Sequence, residues 1–217
     1  MSVEFKNESN SESNSESNSE YKKFYIFPLT NMNLFPNTTK PLNIFEPRYI
    51  EMVHQSIEQG IPIAICFVPE GTHDIRPIAG FSIPQVMERK PDGSLLIFMA
   101  GQGKVLLNLS TIKTEDLVSS MEGLIINEDR TLDDNLRSKY VVLSEVLVLW
   151  ITKHILDTQQ RDVFIKSLVG PQEVVGAFAA YLIYDYDMQY EMMELTSLND
   201  QIKFLYRLLE SGKLTNL

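Results

Sequence analysis

Six short runs rich in aliphatic and aromatic residues fill the stretch from Tyr21 to about Asp129, and they limit what this part of the chain can become. They are Phe24 to Leu29, Ile61 to Val68, Ile78 to Ile83, Ser94 to Met99, Val105 to Leu109 and Glu122 to Asn127. Turn formers separate many of them: Pro69-Glu70-Gly71, Lys90-Pro91-Asp92-Gly93 and Gly101-Gln102-Gly103. Runs of this length between such breaks read as strands. Several short strands with close turns predict a small barrel or a strongly curled sheet. One helix is expected within it, from about Pro47 to Gln59. Pro47 suits the first helical position, Ile50, Val53, His54 and Ile57 share a face, and Gly60 is placed to stop it.

After Asp129 the apolar period changes. Leu136, Tyr140, Leu143, Leu147 and Trp150 recur at alternating spacings of four and three, the seam of a helix packed on other helices. Thr131-Leu132-Asp133-Asp134 before it reads as a capping box, with aspartate in the place of the usual Glu or Gln. Gly170-Pro171 opens another helix running to about Tyr184. Ser197 with Asp200 opens a last one, with Ile202, Leu205 and Leu209 as its buried stripe and Gly212 as its stop. The expected fold is therefore α+β: a curled, barrel-like β subdomain over residues 21–129 with one inserted helix, then a C-terminal helical bundle over 130–217. Residues 7 to 20 repeat Ser, Glu and Asn without an aliphatic or aromatic side chain. Such a segment cannot bury enough apolar surface to offset its conformational entropy, so residues 1–20 are expected to form a disordered, solubilising tail.

Charge narrows the partners. The formal net charge is -10, and the first twenty residues, with five glutamates against Lys6, account for -4 of it. The remainder is still acidic and repels phosphate backbones, so nucleic acid is not an expected partner. The longest apolar stretch, Val141 to Ile151, contains Ser144 and Glu145 and falls short of the roughly 20 residues that span a bilayer. No secretory pattern is read at the N-terminus, and a cytoplasmic protein without a membrane partner is expected. The single cysteine, Cys66, lies inside an apolar run and reads as a buried structural thiol.

The residues Phe27-Pro28-Leu29, Leu34-Phe35-Pro36 and Pro41-Leu42-Asn43-Ile44-Phe45-Glu46-Pro47-Arg48-Tyr49 occur in that order. Together they closely resemble the opening motif of the N-terminal domain of Lon proteases. Ile78-Ala79-Gly80 resembles a following strand of that family, and Asp92-Gly93-Ser94 with Gly101-Gln102-Gly103-Lys104 resembles its hairpin. The segment Tyr190 to Leu195 with Arg207-Leu208 is similar to its close, so the likeness extends from Phe24 to Glu210. Two positions depart from the pattern. Lys104 stands where the family usually has arginine, which loses a planar bidentate donor. Asn37 stands where it often has glycine, and Asn tolerates the left-handed turn this implies. The resemblance implies a PUA-like β subdomain followed by helices, and a role in engaging substrate proteins. It implies neither the ATPase nor the peptidase of a complete Lon.

Within the motif, Glu46, Arg48 and Tyr49 are the candidate functional residues. Arg48 falls in the first turn of its helix, where the dipole disfavours a cation, so a carboxylate or carbonyl partner is expected. Its expected job is to tie the helix to the barrel. Phe27, Phe35 and Phe45 are expected to pack in the core or its turns, with Pro28 and Pro36 shaping the chain beside them. His54, His73 and His154 are far apart and lack a metal-binding spacing, so no metal is expected. Gly103-Lys104-Val105 and Gly212-Lys213-Leu214 lack the rest of a phosphate loop, and no cofactor is expected. Ser94 lies in a loop resembling the one that carries the serine of Lon peptidases, but without its activating lysine. The function expected is a non-catalytic module that binds protein or peptide segments, flexible or unfolded ones in particular. The rival readings are a small hydrolase using Ser94 or Cys66, and a PUA-like RNA-binding protein, which the acidic balance opposes. Sequence leaves the oligomeric state open.

Overall fold

A computed structural model of the chain describes residues 20–214; the expected tail, apart from Glu20, lies outside the described residues. Eight strands come first: β1 (Lys22–Leu29), β2 (Thr39–Ile44), β3 (Ile63–Phe67), β4 (Ile78–Ser82), β5 (Gln85–Arg89), β6 (Leu95–Ala100), β7 (Gly103–Glu115) and β8 (Val118–Ile126). Helix α1 (Pro47–Gln59) stands between β2 and β3. Five helices follow: α2 (Arg137–His154), α3 (Thr158–Ser167), α4 (Pro171–Leu182), α5 (Tyr186–Glu194) and α6 (Leu198–Glu210). The chain is thus an α+β domain with a strand subdomain and a C-terminal helical bundle.

The pairing pattern explains the apolar runs. β1 pairs in parallel with β3 and antiparallel with β8, and the order β1-β3-β4-β7-β8 returns on itself as a ring. Side chains alternate across each strand, so Phe24 and Ile26 of β1 join Ala64 and Cys66 of β3 in one core cluster. Tyr25, Phe27, Ile63 and Ile65 point the other way, into a second cluster. Both faces of these strands are covered, which is why their sequence is apolar without alternation. The second cluster is closed by Met52 and Val53 of α1 and by Leu95, Ile97 and Met99 of β6. β6 is the centre of a separate three-stranded sheet, β2-β6-β5.

Two strands were not anticipated from sequence, and both are edges of that small sheet. β2 carries Pro41, which only an edge position tolerates, and β5 is mostly polar because it is mostly exposed. Helices α3 and α5 were also not anticipated as separate elements. Asp157 and Asp185 cap them, accepting the Gln160 and Met188 amides at 2.7 and 3.0 Å.

Local expectations need three corrections. Thr131 to Asp134 does not cap a helix: the Asp129 carboxylate accepts the Thr131 amide, and one 3-10 turn, Asp134–Leu136, precedes α2. In α1 the buried residues are Met52, Val53 and Ser56, while Ile57 is exposed. Ser56 can be buried because its hydroxyl donates to the Ile61 carbonyl at 2.6 Å. In α6 the stripe ends on Leu208, with Leu209 half-buried. Gly60 does stop α1 in the left-handed region, and Asn37 occupies that region at φ 60.

Candidate functional site

The motif residues separate into two places. Phe35 and Pro36 lie where the strand ring meets the bundle, and Phe35 is part of the bundle's core. Their loop is held by backbone contact. A Cβ on Gly80 would sit 1.8 Å from the Leu34 carbonyl oxygen, and one on Gly101 would sit 2.2 Å from that of Phe35. Asn37 then donates its amide to Gly101, whose own amide donates to Thr38.

Lys104 belongs to this junction. Its side chain is 1% exposed. The ammonium lies 2.6 Å from Glu128 and donates to the Leu195 carbonyl at 2.8 Å. Gln201 of α6 donates to the same two acceptors. Burial holds the lysine below its ordinary pKa, against the pull of Glu128. The arrangement is a buried clamp between strands and helices.

The two candidate nucleophiles sit in structural settings. Cys66 is fully buried, and burial pushes its thiol up to about 12. Ser94 donates its hydroxyl to Asp92 at 2.7 Å, and its amide donates to the same oxygen, an ordinary turn contact. Those two hydrogen bonds hold the Asp92 carboxyl below its usual value, so it stays an acceptor. Among the described residues no group of three His, Cys, Asp or Glu could hold a metal.

Pro28, Arg48 and Tyr49 converge elsewhere, on an apolar pocket of about 80 Å³ at the junction of β1, α1 and the β7–β8 hairpin. Ile26, Met52, Ile75, Ile112, Leu117 and Val118 add apolar wall, and Ser119 adds a hydroxyl. The Tyr49 ring packs 4.3 Å from that of Phe27, and the Arg48 guanidinium lies 4.5 Å from the Tyr49 ring centre. Burial pushes the Tyr49 phenol up, so it is a neutral donor at physiological pH. Arg48 has its carboxylate partner in Glu46, two residues back, with both contacts, 2.8 and 2.9 Å, on one oxygen. Its side chain is 53% exposed, so the expected tie between helix and barrel is replaced by a local surface pair.

Exposed apolar side chains are where the fold departs most from expectation. Phe45, expected to pack in the core or its turns, is 72% exposed on the loop leading into α1; Ile112 and Leu117 stand at the pocket. Ile112 is 51% and Leu117 72% exposed. Leu117 and its neighbour Asp116 both have positive φ, 72 and 47, at the hairpin tip. A bulky residue in that conformation is strained, and here its apolar side chain faces solvent. The signal available in sequence was Asp116-Leu117 itself, a hairpin tip without the usual glycine.

Residues 23–211 match the family described as ATP-dependent protease La (LON) substrate-binding domain. The chain belongs to this family. A Lon N-terminal domain protein from Xanthomonas campestris is similar in structure, with a TM-score of 0.62 at 16% identity, covering 87% of this chain and 98% of that one. The N-terminal domain of Lon protease from the Mycobacterium avium complex gives 0.65 at 11% identity with the same coverages. At these identities the likeness is one of fold. No curated protein matches the chain. As a Lon substrate-binding domain it is non-catalytic, in keeping with the buried Cys66 and the hairpin-bound Ser94.

Proposed function

We propose that this Lon substrate-binding domain engages flexible or unfolded segments of other proteins, as a cytoplasmic binding module beside proteolysis. We also read its strand ring as a barrel of the PUA-like type. The observation carrying the functional reading is the pocket of Pro28 and Tyr49 with its solvent-facing apolar rim, Ile112 and Leu117. Large side chains held in water at a strained turn cost stability, and covering them with a partner's apolar side chains recovers it. The chain's formal charge of -10 gives polyanions no general attraction, which disfavours the RNA-binding reading. Among the described residues no helix is long and apolar enough to cross a membrane.

Binding of this kind is weak, on the order of micromolar, because ordering a flexible partner uses up much of the contact energy. It should also change little with salt, since the contacts are apolar. The test is titration of a labelled, permanently unfolded protein against the full chain at two ionic strengths. Between about 0.01 and 1 M salt the Debye length shrinks from about 30 to 3 Å, enough to abolish a charge-driven contact. Equal binding of a folded control, or no binding at high protein concentration, removes the reading.

A further inference from the structure

The pocket has one charged group in a wall that is otherwise apolar apart from the hydroxyls of Tyr49 and Ser119. Pro28, Tyr49, Ile75, Ile112 and Leu117 are uncharged at neutral pH, and Arg48 alone among the described lining residues carries a charge. Glu46 engages Nε and Nη2 of that guanidinium, both through a single oxygen, so Nη1 keeps its donors without a partner among the described residues. Tyr49 lies along the guanidinium, 4.5 Å from ring centre to carbon, which steadies it at the pocket. The complement of this surface is an anion attached directly to a compact apolar group.

In a polypeptide, an acidic side chain carries its carboxylate in place of an apolar side chain. The last residue is different: its free α-carboxylate and its own apolar side chain leave the same Cα. We infer that the pocket captures the C-terminal residue of a partner polypeptide, an aliphatic side chain entering beside Tyr49 and Leu117 while the terminal carboxylate takes the open donors of Arg48. This rests on the polypeptide-binding reading above and names the part of the partner that is read. About 80 Å³ accommodates one residue's side chain rather than a run of them or a long acyl chain. An arginine fork suits a carboxylate, whose two oxygens can meet two parallel N–H donors. The acidic balance of the chain turns away carboxylate-rich segments generally and leaves this one cation to select.

The experiment is fluorescence anisotropy of N-terminally labelled, unstructured peptides against the full chain. One peptide ends in leucine with a free carboxylate, one is its C-terminal amide, and a third has the leucine moved inward and glycine last. The permanently unfolded protein is titrated alongside them. The expected result is that the free acid binds on the order of tenfold more tightly than either other peptide, the range of one charge-assisted contact. Arg48→Met should erase the difference between acid and amide while its thermal midpoint stays at the wild-type value, because the replaced pair is exposed. Leu117→Asn should weaken the acid and the amide equally, by removing apolar contact alone. Equal binding of acid and amide overturns the inference, and if the unfolded protein still binds, it leaves the broader reading standing. An acid preference that survives Arg48→Met also overturns it, by placing the carboxylate elsewhere. If no peptide and no unfolded protein binds, both readings fall together.

Discussion

Cys66 and Lys104 lie equally deep in the molecule, yet burial acts on them in opposite ways. A thiol is neutral at physiological pH and packs like a small apolar group, so its cost appears only when it must ionise. Its folded value of about 12 lies above the ordinary 9.0, so above about pH 9 the unfolded chain releases a proton that the folded chain keeps. The folded state then binds more protons, and stability falls as pH rises from about 9 towards 12. The phenols of Tyr181 and Tyr190, also pushed up by burial, act with the same sign. The thermal midpoint should therefore drop between pH 8 and pH 11, and drop less in Cys66→Val; an equal drop in the two proteins contradicts the assignment to Cys66. The depth of Cys66 was legible in the sequence because its run is apolar on both faces. That of Lys104 was not: a lysine following Gly-Gln-Gly reads as a solvent or ligand contact, and its acceptor at Leu195 is 91 residues away.

Among the elements, the β7–β8 hairpin differs most from what a stability-optimised sequence would contain. Its register shifts between Asn108 and Lys113, and its tip places Asp116 and Leu117 at positive φ, where the favoured pair is Asn-Gly or Asp-Gly. Leu117→Gly should relieve the strain and raise stability by about 1 kcal/mol, read as a higher urea midpoint. The same change should weaken the binding of unfolded protein, because it removes an apolar wall of the pocket. A lower midpoint, or binding that is unchanged, contradicts this assignment of cost and use to one residue. The elements read correctly from sequence are those whose faces are filled with apolar side chains, such as β1, β3 and α4. β2 and β5 were hidden because each has a single strand neighbour and contributes little to the core. β5 also carries a bulge at Val86 and Glu88 and ends on Arg89, features that discourage another strand from adding to its edge.

Across the whole molecule, strands and helices are joined by polar contacts as well as by apolar ones. Lys104 and Gln201 share Glu128 and the Leu195 carbonyl, the Ile78 amide donates to the Tyr190 hydroxyl, and Asn33 donates to the Tyr186 carbonyl. Removing one partner of a buried pair strands the other, at a cost of about 3–5 kcal/mol. Lys104→Ala should lower stability by that order, and Lys104→Met with Glu128→Leu should recover much of the loss. Trp150 reports on the bundle by fluorescence, and hydrogen exchange of β1 and β3 amides reports on the ring. In the wild type the two should lose structure at one denaturant concentration, and in Lys104→Ala they should separate. A single variant with the wild-type midpoint contradicts the clamp. The family's opening motif was legible as a motif, but its division between this junction and the exposed pocket is a property of three dimensions. The ring has a consequence for the chain's own birth. Lys22 pairs with Gly123, so the edge of β1 that receives β8 waits for about a hundred more residues to be synthesised. At a synthesis rate of about 5–20 residues per second, that interval is on the order of ten seconds. Until β8 emerges, Phe24 and Tyr25 lack their neighbours on that side, and the nascent chain is itself an incomplete polypeptide of the kind its finished form is proposed to hold.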